Sequence, residues 1–394
     1  MTAAARLHLA WWQHLLAVGA IVAVTALRFY PAVSSHEPLG DELAQERAYL
    51  QEAAGKSPYL DGSYVYPPTL LRLGAALRHL PLVSPFLPLR CLALLGLALV
   101  LWSATGWLGW KPWQRLGLAL LYATLAPGVR QGIEFGNLSF AVGGMIVLAL
   151  LVWERSAVAS GLLLGASLLF KPLAPAALVV LFFHRPGKTH QHQLAGAVAV
   201  VAAAVPLLAD PELGAFLRHG ADAFVVERTV SLHRFLSLAQ APGAATMLTL
   251  LLLAAVAAAA RLWVRDRAQL LAVALAGCVT VTPVVWNHTL VLTLPLQAMA
   301  IALATARFRA ANDGERRWRG WEAAGVALAV AALTFAEGAT GIDDRAVALQ
   351  VFATLPPALA PALLAAYVLR LSPLAASGQN RVLPRGLRHD ATRV

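Results

Sequence analysis

A 394-residue chain that is 59% hydrophobic and only 13% charged, with a mean hydropathy of +0.66, is far more apolar than a soluble domain, whose charged fraction is usually about 25%. Its net charge of +11 does not point to nucleic acid, because no long basic run is interleaved with aromatics as a binding groove requires. Two cysteines, Cys91 and Cys278, are too few for a disulfide framework or a thiolate metal site, and both are expected to be small buried apolar residues.

The first apolar block, Leu9–Leu27, follows Arg6 and shows no small-residue cleavage site before Arg28 and Tyr30. It therefore reads as a retained anchor. Breaks at proline, glycine and charge clusters place further spans near 88–107, 114–128, 138–153, 158–170, 173–184, 192–209, 244–260, 268–285, 288–306, 321–338 and 346–370, about twelve in all. The expectation is an all-α polytopic membrane protein forming a single integral membrane domain over 1–394. With the N-terminus placed in the cytoplasm, the larger share of the 31 Lys and Arg residues falls inside, among them Arg155, Arg185, Arg261, Arg307 and Arg316. Both termini are then cytoplasmic, and 371–394 is a short basic tail.

Two extracytoplasmic segments, 28–87 and 210–243, are too long to be simple connectors and are where function is expected. The first carries a Pro-Leu-Gly turn, then Asp41 and Glu42, then a predicted helix Glu42–Ala54 ending at Gly55. A carboxylate at that helix start can serve as a cap. It can equally be a general base at the membrane–water boundary. Tyr64-Val65-Tyr66-Pro67-Pro68 imposes an extended backbone that fixes the tyrosine rings, and is followed by an amphipathic helix over Thr69–Leu80 able to lie on the membrane surface.

Farther along, the predicted loop Arg130–Asn137 brings Glu134 and Asn137 to the outer side, where polar backbone is tolerated mainly if it lines a cavity. Lys171, between Leu168-Leu169-Phe170 and Pro172-Leu173, puts an ammonium at the outer boundary, free to snorkel or to neutralise an anion such as phosphate; Arg228 and Arg234 of the second long loop can join it. Thr282-Pro283-Val284-Val285-Trp286-Asn287-His288 adds a proline turn, an indole and an imidazole on the same side. These residues outline one outward-facing site. A transporter or flippase of a lipid-linked or anionic substrate would also use many spans and embedded cations, but its charges would line a path across the bilayer rather than gather at one face.

The ordered set Asp41, Gly55, Tyr59, Tyr66-Pro67-Pro68 with its Leu-rich helix, then Gly136-Asn137-Leu138-Ser139, then Gly161, Gly165, Lys171-Pro172 and Pro175, then Pro283 to His288, resembles glycosyltransferase family 87. The resemblance implies a GT-C-type fold with extracytoplasmic amphipathic helices, and transfer of a sugar, most commonly mannose, from a polyprenyl-phosphate donor to a lipid or glycan acceptor. It implies Asp41 as general base, His288 in the catalytic site, and Lys171, Arg234, Arg228, Tyr66, Glu134, Asn137, Trp286 and Tyr59 as substrate-binding residues. The implied setting is the inner (cytoplasmic) membrane with the active site extracytoplasmic, and the partners are donor, acceptor and membrane lipids. The cation set suits the leaving phosphate. No cofactor and no metal are expected, as no acidic cluster of metal-ligand character is evident. Where the family often shows Ser-Pro-x-Ser-Trp-Asp-His-His, this chain has Thr282, Val285, Asn287 and Thr289. That leaves the acceptor and the donor sugar open.

Overall fold

A computed structural model describes residues 11–59, 64–82, 84–184, 190–222, 233, 244–282, 287–334 and 347–376. Among them the chain is helical and contains no strand. α1 (Trp11–Arg28) runs into a one-turn α2 (Tyr30–Val33), and the first long loop then folds as α3 (Gly40–Ala53) and α4 (Pro68–Arg78). α5 (Leu87–Gly106), α6 (Pro112–Leu125), α7 (Pro127–Glu134), α8 (Ser139–Val152), α9 (Ala157–Leu168), α10 (Pro175–Phe183) and α11 (His190–Leu208) follow. α12 (Leu213–Asp222) opens the second long loop. The chain then continues through α13 (Ala245–Leu262), α14 (Arg267–Thr280), a 3-10 segment (Asn287–Thr293), α15 (Leu294–Ala310), α16 (Asp313–Thr334) and α17 (Val347–Ala376).

Among the described residues each stretch predicted to span contains a helix, yet only four runs there are long and apolar enough to cross a bilayer unaided: Trp11–Arg28, Leu87–Gly106, His190–Leu208 and His288–Ala310. Joining α7 to α8, which meet at a 116° bend, would make five. The predicted count of about twelve spans is not established, because helices such as α9 and α14 have 12 and 14 residues and, at about 1.5 Å per residue, fall short of the hydrocarbon thickness. The protein is nonetheless a multi-pass membrane protein. Small residues bring its helices close: a side chain on Gly96 of α5 would strike the backbone of Phe140 in α8, and one on Gly161 of α9 would strike that of Gly196 in α11. Cys278 is buried, but Cys91 faces outward from α5, contrary to expectation.

The first long loop builds a core of its own from Tyr59, Tyr64, Tyr66, Leu70, Leu71 and Phe86. Leu70 and Leu71 of α4 are therefore taken up by this tyrosine cluster, while Leu80 stays exposed. Arg72 of α4 pairs with Asp210 at 3.1 Å and also with Glu52, and Ser57 Oγ donates to Glu212 Oε2 at 2.7 Å. Phe216 of α12 stacks on Tyr59, with ring centres 5.8 Å apart. The first long loop is thus locked to the described start of the second.

Candidate active site

Asp41 occupies the first turn of α3, a helix that begins where the Pro-Leu-Gly turn ends. Its peptide N–H donates to Phe135 O at 2.8 Å, joining the start of α3 to the end of α7. Gly40 makes this approach possible, because a Cβ there would lie 2.5 Å from the Phe135 ring. The capping role falls to the neighbour: Glu42 Oε2 accepts from Leu39 N–H at 2.8 Å. Asp41 is left to reach across the loop. Its Oδ2 accepts from the Tyr66 hydroxyl at 2.5 Å and from Asn137 Nδ2.

Tyr66 is held by the tyrosine cluster, whose ring centres step from Tyr59 to Tyr64 at 5.6 Å and on to Tyr66 at 5.8 Å. The Tyr59 hydroxyl donates to Tyr66 O at 2.9 Å. Burial, reinforced by the charge of Asp41, drives the Tyr66 phenol well above its ordinary pKa. Tyr66 therefore remains a donor to the carboxylate at any working pH.

The predicted loop 130–137 is instead the helix α7, followed by a sharp bend. Gly136 takes the bend with φ of 67°, and Asn137 Oδ1 then accepts from Ser139 N–H at 2.8 Å, closing the first turn of α8. The same amide faces two ways. Nδ2 points to Asp41, while Oδ1 accepts from Lys171 Nζ at 3.4 Å. Lys171 sits at the break between α9 and α10, where Pro172 keeps α9 from continuing and Pro175 opens α10, and it also donates to Ser139 Oγ at 2.8 Å. The ammonium lies 5.5 Å from the centre of the Tyr66 ring. Burial lowers the Lys171 pKa to about 8, against the opposing pull of Asp41.

His288 is buried at the start of the 3-10 segment, against α7, where a Cβ on Gly132 would come within 3.1 Å of its own Cβ. Its neighbour Thr289 places Oγ1 3.3 Å from Ser139 Oγ, so this segment meets Lys171's partner directly. Glu134 is not brought in. It lies at the end of α7, half exposed, paired with Arg130 at 2.9 Å, because at that point the helix turns its acidic side away from the bend. Tyr59 supports Tyr66 and is itself buried, a different place from the substrate-facing one expected of it. Arg228, Arg234 and Trp286 lie outside the described residues.

Sequence reading missed two groups. Ser139 stands in the sequence only as the end of the Gly136–Ser139 motif, although it holds Lys171. Arg90 falls within the predicted span 88–107, yet it is buried in an ion pair with Glu42 at 2.6 Å. A charge within a hydrophobic helix was the signal that could have found it. Among the described residues, no three His, Cys, Asp or Glu side chains converge as a metal site would require.

Beside Lys171 opens an apolar cavity of ≈ 260 Å³, walled by Pro172 and Leu173, by Phe216 and Leu217 of α12, and by Leu253 of α13. The buried cation thus stands one residue from the wall of a space shaped for hydrocarbon, with the Asn137 amide between it and the partly exposed carboxylate of Asp41.

A model of glycosyltransferase family 87 matches residues 64–295, more than half of the chain. The match takes in Tyr66, Asn137, Lys171 and His288, whereas Asp41 precedes it. Two structures of ArnT from Cupriavidus metallidurans are similar. The one bound to undecaprenyl phosphate has 17% identity and a TM-score of 0.42, covering 95% of this chain and 85% of that one. The apo form has 15% identity and a TM-score of 0.39, covering 95% and 84%. No curated protein sequence matches the chain.

Proposed function

Since the chain belongs to glycosyltransferase family 87, we propose that it moves a sugar, with mannose the first candidate, from a polyprenyl-phosphate donor to a lipid or glycan acceptor. The reading places a GT-C-type fold in the inner membrane, with the site extracytoplasmic and both termini cytoplasmic. The observation that carries it is the Asn137 amide, which joins Asp41 on one side to Lys171 on the other, with Lys171 next in sequence to Pro172 in the wall of an apolar cavity. A lipid-linked sugar phosphate needs all three: a base for the acceptor, a cation for the leaving group and a dry channel for the tail.

Asp41 takes the proton from the acceptor hydroxyl as its oxygen attacks the anomeric carbon and the bond to the phosphate oxygen breaks. The Tyr66 and Asn137 donors aim the carboxylate and keep Lys171 from pairing with it directly. Lys171, assisted by Arg234 and Arg228, stabilises the charge that develops on the departing phosphate, and His288 completes the wall facing it. One positioned base suits direct displacement with inversion. The isoprenoid tail occupies the cavity beside Pro172 and Leu173.

Purified protein given polyprenyl-phosphate-mannose and a panel of lipid and glycan acceptors tests this. Transfer is expected with wild type, and Asp41→Asn should lose about 1,000-fold or more in kcat with the fold retained. Undiminished transfer by Asp41→Asn removes that residue from the base role. Movement of the intact donor across vesicles without transfer would replace the whole reading with a flippase.

A further inference from the structure

We propose that Arg90 is a positioning residue for Asp41, acting through Glu42; the inference rests on the reading of Asp41 as the base. Arg90 stands in the first turn of α5, its side chain only 4% exposed, opposite Glu42 at 2%. Its guanidinium meets both carboxylate oxygens, Nε to Oε1 at 2.8 Å and Nη2 to Oε2 at 2.6 Å. It also donates to three backbone carbonyls of the strand of chain leading into α3: Val33 at 3.3 Å, Ser35 at 2.6 Å and Glu37 at 3.0 Å. Glu42 in turn accepts from Leu39 N–H. One planar cation therefore gathers residues 33–42 onto a bilayer-crossing helix.

The geometry has a consequence for the adjacent residue. Successive side chains on a helix point about 100° apart, so fixing Glu42 toward α5 turns Asp41 toward Tyr66 and Asn137. A two-point fork fixes rotation of the helix about its axis, which a single contact would leave free. The other wall of the site is set by the same carboxylate. Gly136, in the bend that carries Asn137, has no side chain where Glu42 lies: a Cβ there would be 2.7 Å from Glu42 Oε1. Arg90 and Glu42 thus hold Asp41 from one side and seat its Asn137 partner from the other.

The test compares full-length wild type, Arg90→Lys and Glu42→Gln for kcat, donor KM, thermal unfolding and hydrogen exchange of peptides covering 38–46 and 130–139. Both variants keep a polar group of similar size, and Glu42→Gln still offers an acceptor to Leu39, so it carries the test should Arg90→Lys not fold. The expected result is a loss of about 100-fold in kcat with donor KM held within about twofold, the scale of a misplaced reacting group. Faster exchange at the Asp41 amide should accompany it, with α5 unchanged. In an Asp41→Asn background, Arg90→Lys should lower the residual rate no further. Normal exchange over 38–46, a fully multiplicative loss with Asp41→Asn, or a raised KM at unchanged kcat would each overturn the proposal. If wild type transfers nothing from the donor, the donor reading has failed, and the exchange comparison alone decides whether Arg90 positions α3.

Discussion

Lys171 is the group whose chemistry responds most to pH in a useful range. Its ammonium is favoured by Asp41 and opposed more strongly by burial, which brings its pKa to about 8. If it stabilises the leaving phosphate in its charged form, kcat/KM should fall as pH rises through about 8. A bound anionic donor favours the charged form, so the alkaline limb of kcat should sit at higher pH than that of kcat/KM. Coincident limbs would show that Lys171 does not meet the donor charge. The stability effect has the opposite sign. Between about 8 and the ordinary value of 10.5 the unfolded chain holds a proton that the folded chain sheds, so resting stability should rise with pH across that window. Lys171→Met, which removes the cation and leaves the packing, is expected to cost about 100-fold in kcat. Asp41, Tyr66, Asn137 and Lys171 were legible in sequence because each polar group stands beside a glycine or proline that interrupts an apolar pattern. Glu134 lacks that signature, its neighbours being Ile133 and Phe135, and a short helix, hard to see in so brief a stretch, turns it outward. The Arg90–Glu42 pair was hidden for another reason: 48 residues separate its members, and no local pattern reports a contact of that range.

At the scale of elements, the site is made where helices fail to continue. Asp41 begins α3, Asn137 lies in the bend between α7 and α8, Lys171 in the break between α9 and α10, and His288 in the 3-10 segment ahead of α15. Irregular backbone inside a membrane protein must line a cavity or be satisfied by side chains, and here Asn137 Oδ1 accepts from Ser139 N–H at one joint and Thr69 Oγ1 donates to Leu169 O at 2.7 Å at another. Gly136 is a joint constrained twice over. Its φ of 67° disfavours any side chain, and the Glu42 carboxylate fills the space one would take. Gly136→Ala should therefore cost about 1–3 kcal/mol, read as a lower thermal midpoint in detergent. Transfer should fall as well, because the bend carries Asn137. A variant as stable and as active as wild type would mean that the bend is adaptable and the site less rigid than its contacts imply. Helix positions were readable from hydrophobic blocks and their proline or glycine ends; which of them cross a bilayer unaided was not, because composition identifies an apolar helix without saying that twelve or fourteen residues are too few.

For the molecule as a whole, the question is which side of the membrane the site faces. α15 begins beside it and carries the chain 17 residues away, roughly 25 Å at about 1.5 Å per residue, most of a bilayer's hydrocarbon core. At the far end stand Arg309, Arg316 and Arg317, cations of the kind the positive-inside bias favours in the cytoplasm, with Trp318 and Trp321 strongly exposed as indoles are at either interface. The site-bearing loops, by contrast, hold the carboxylates Glu37, Asp41, Glu42, Glu46, Asp210 and Glu212. That asymmetry makes the orientation testable without any assay of transfer. In a background lacking Cys91 and Cys278, Lys56→Cys, exposed just beyond α3, should react with a membrane-impermeant maleimide in intact cells. Arg317→Cys, at the opposite end, should react only after the membrane is permeabilised. The reverse pattern would put the site in the cytoplasm, where nucleotide sugars rather than lipid-linked ones are the accessible donors, and the isoprenoid cavity would need another occupant.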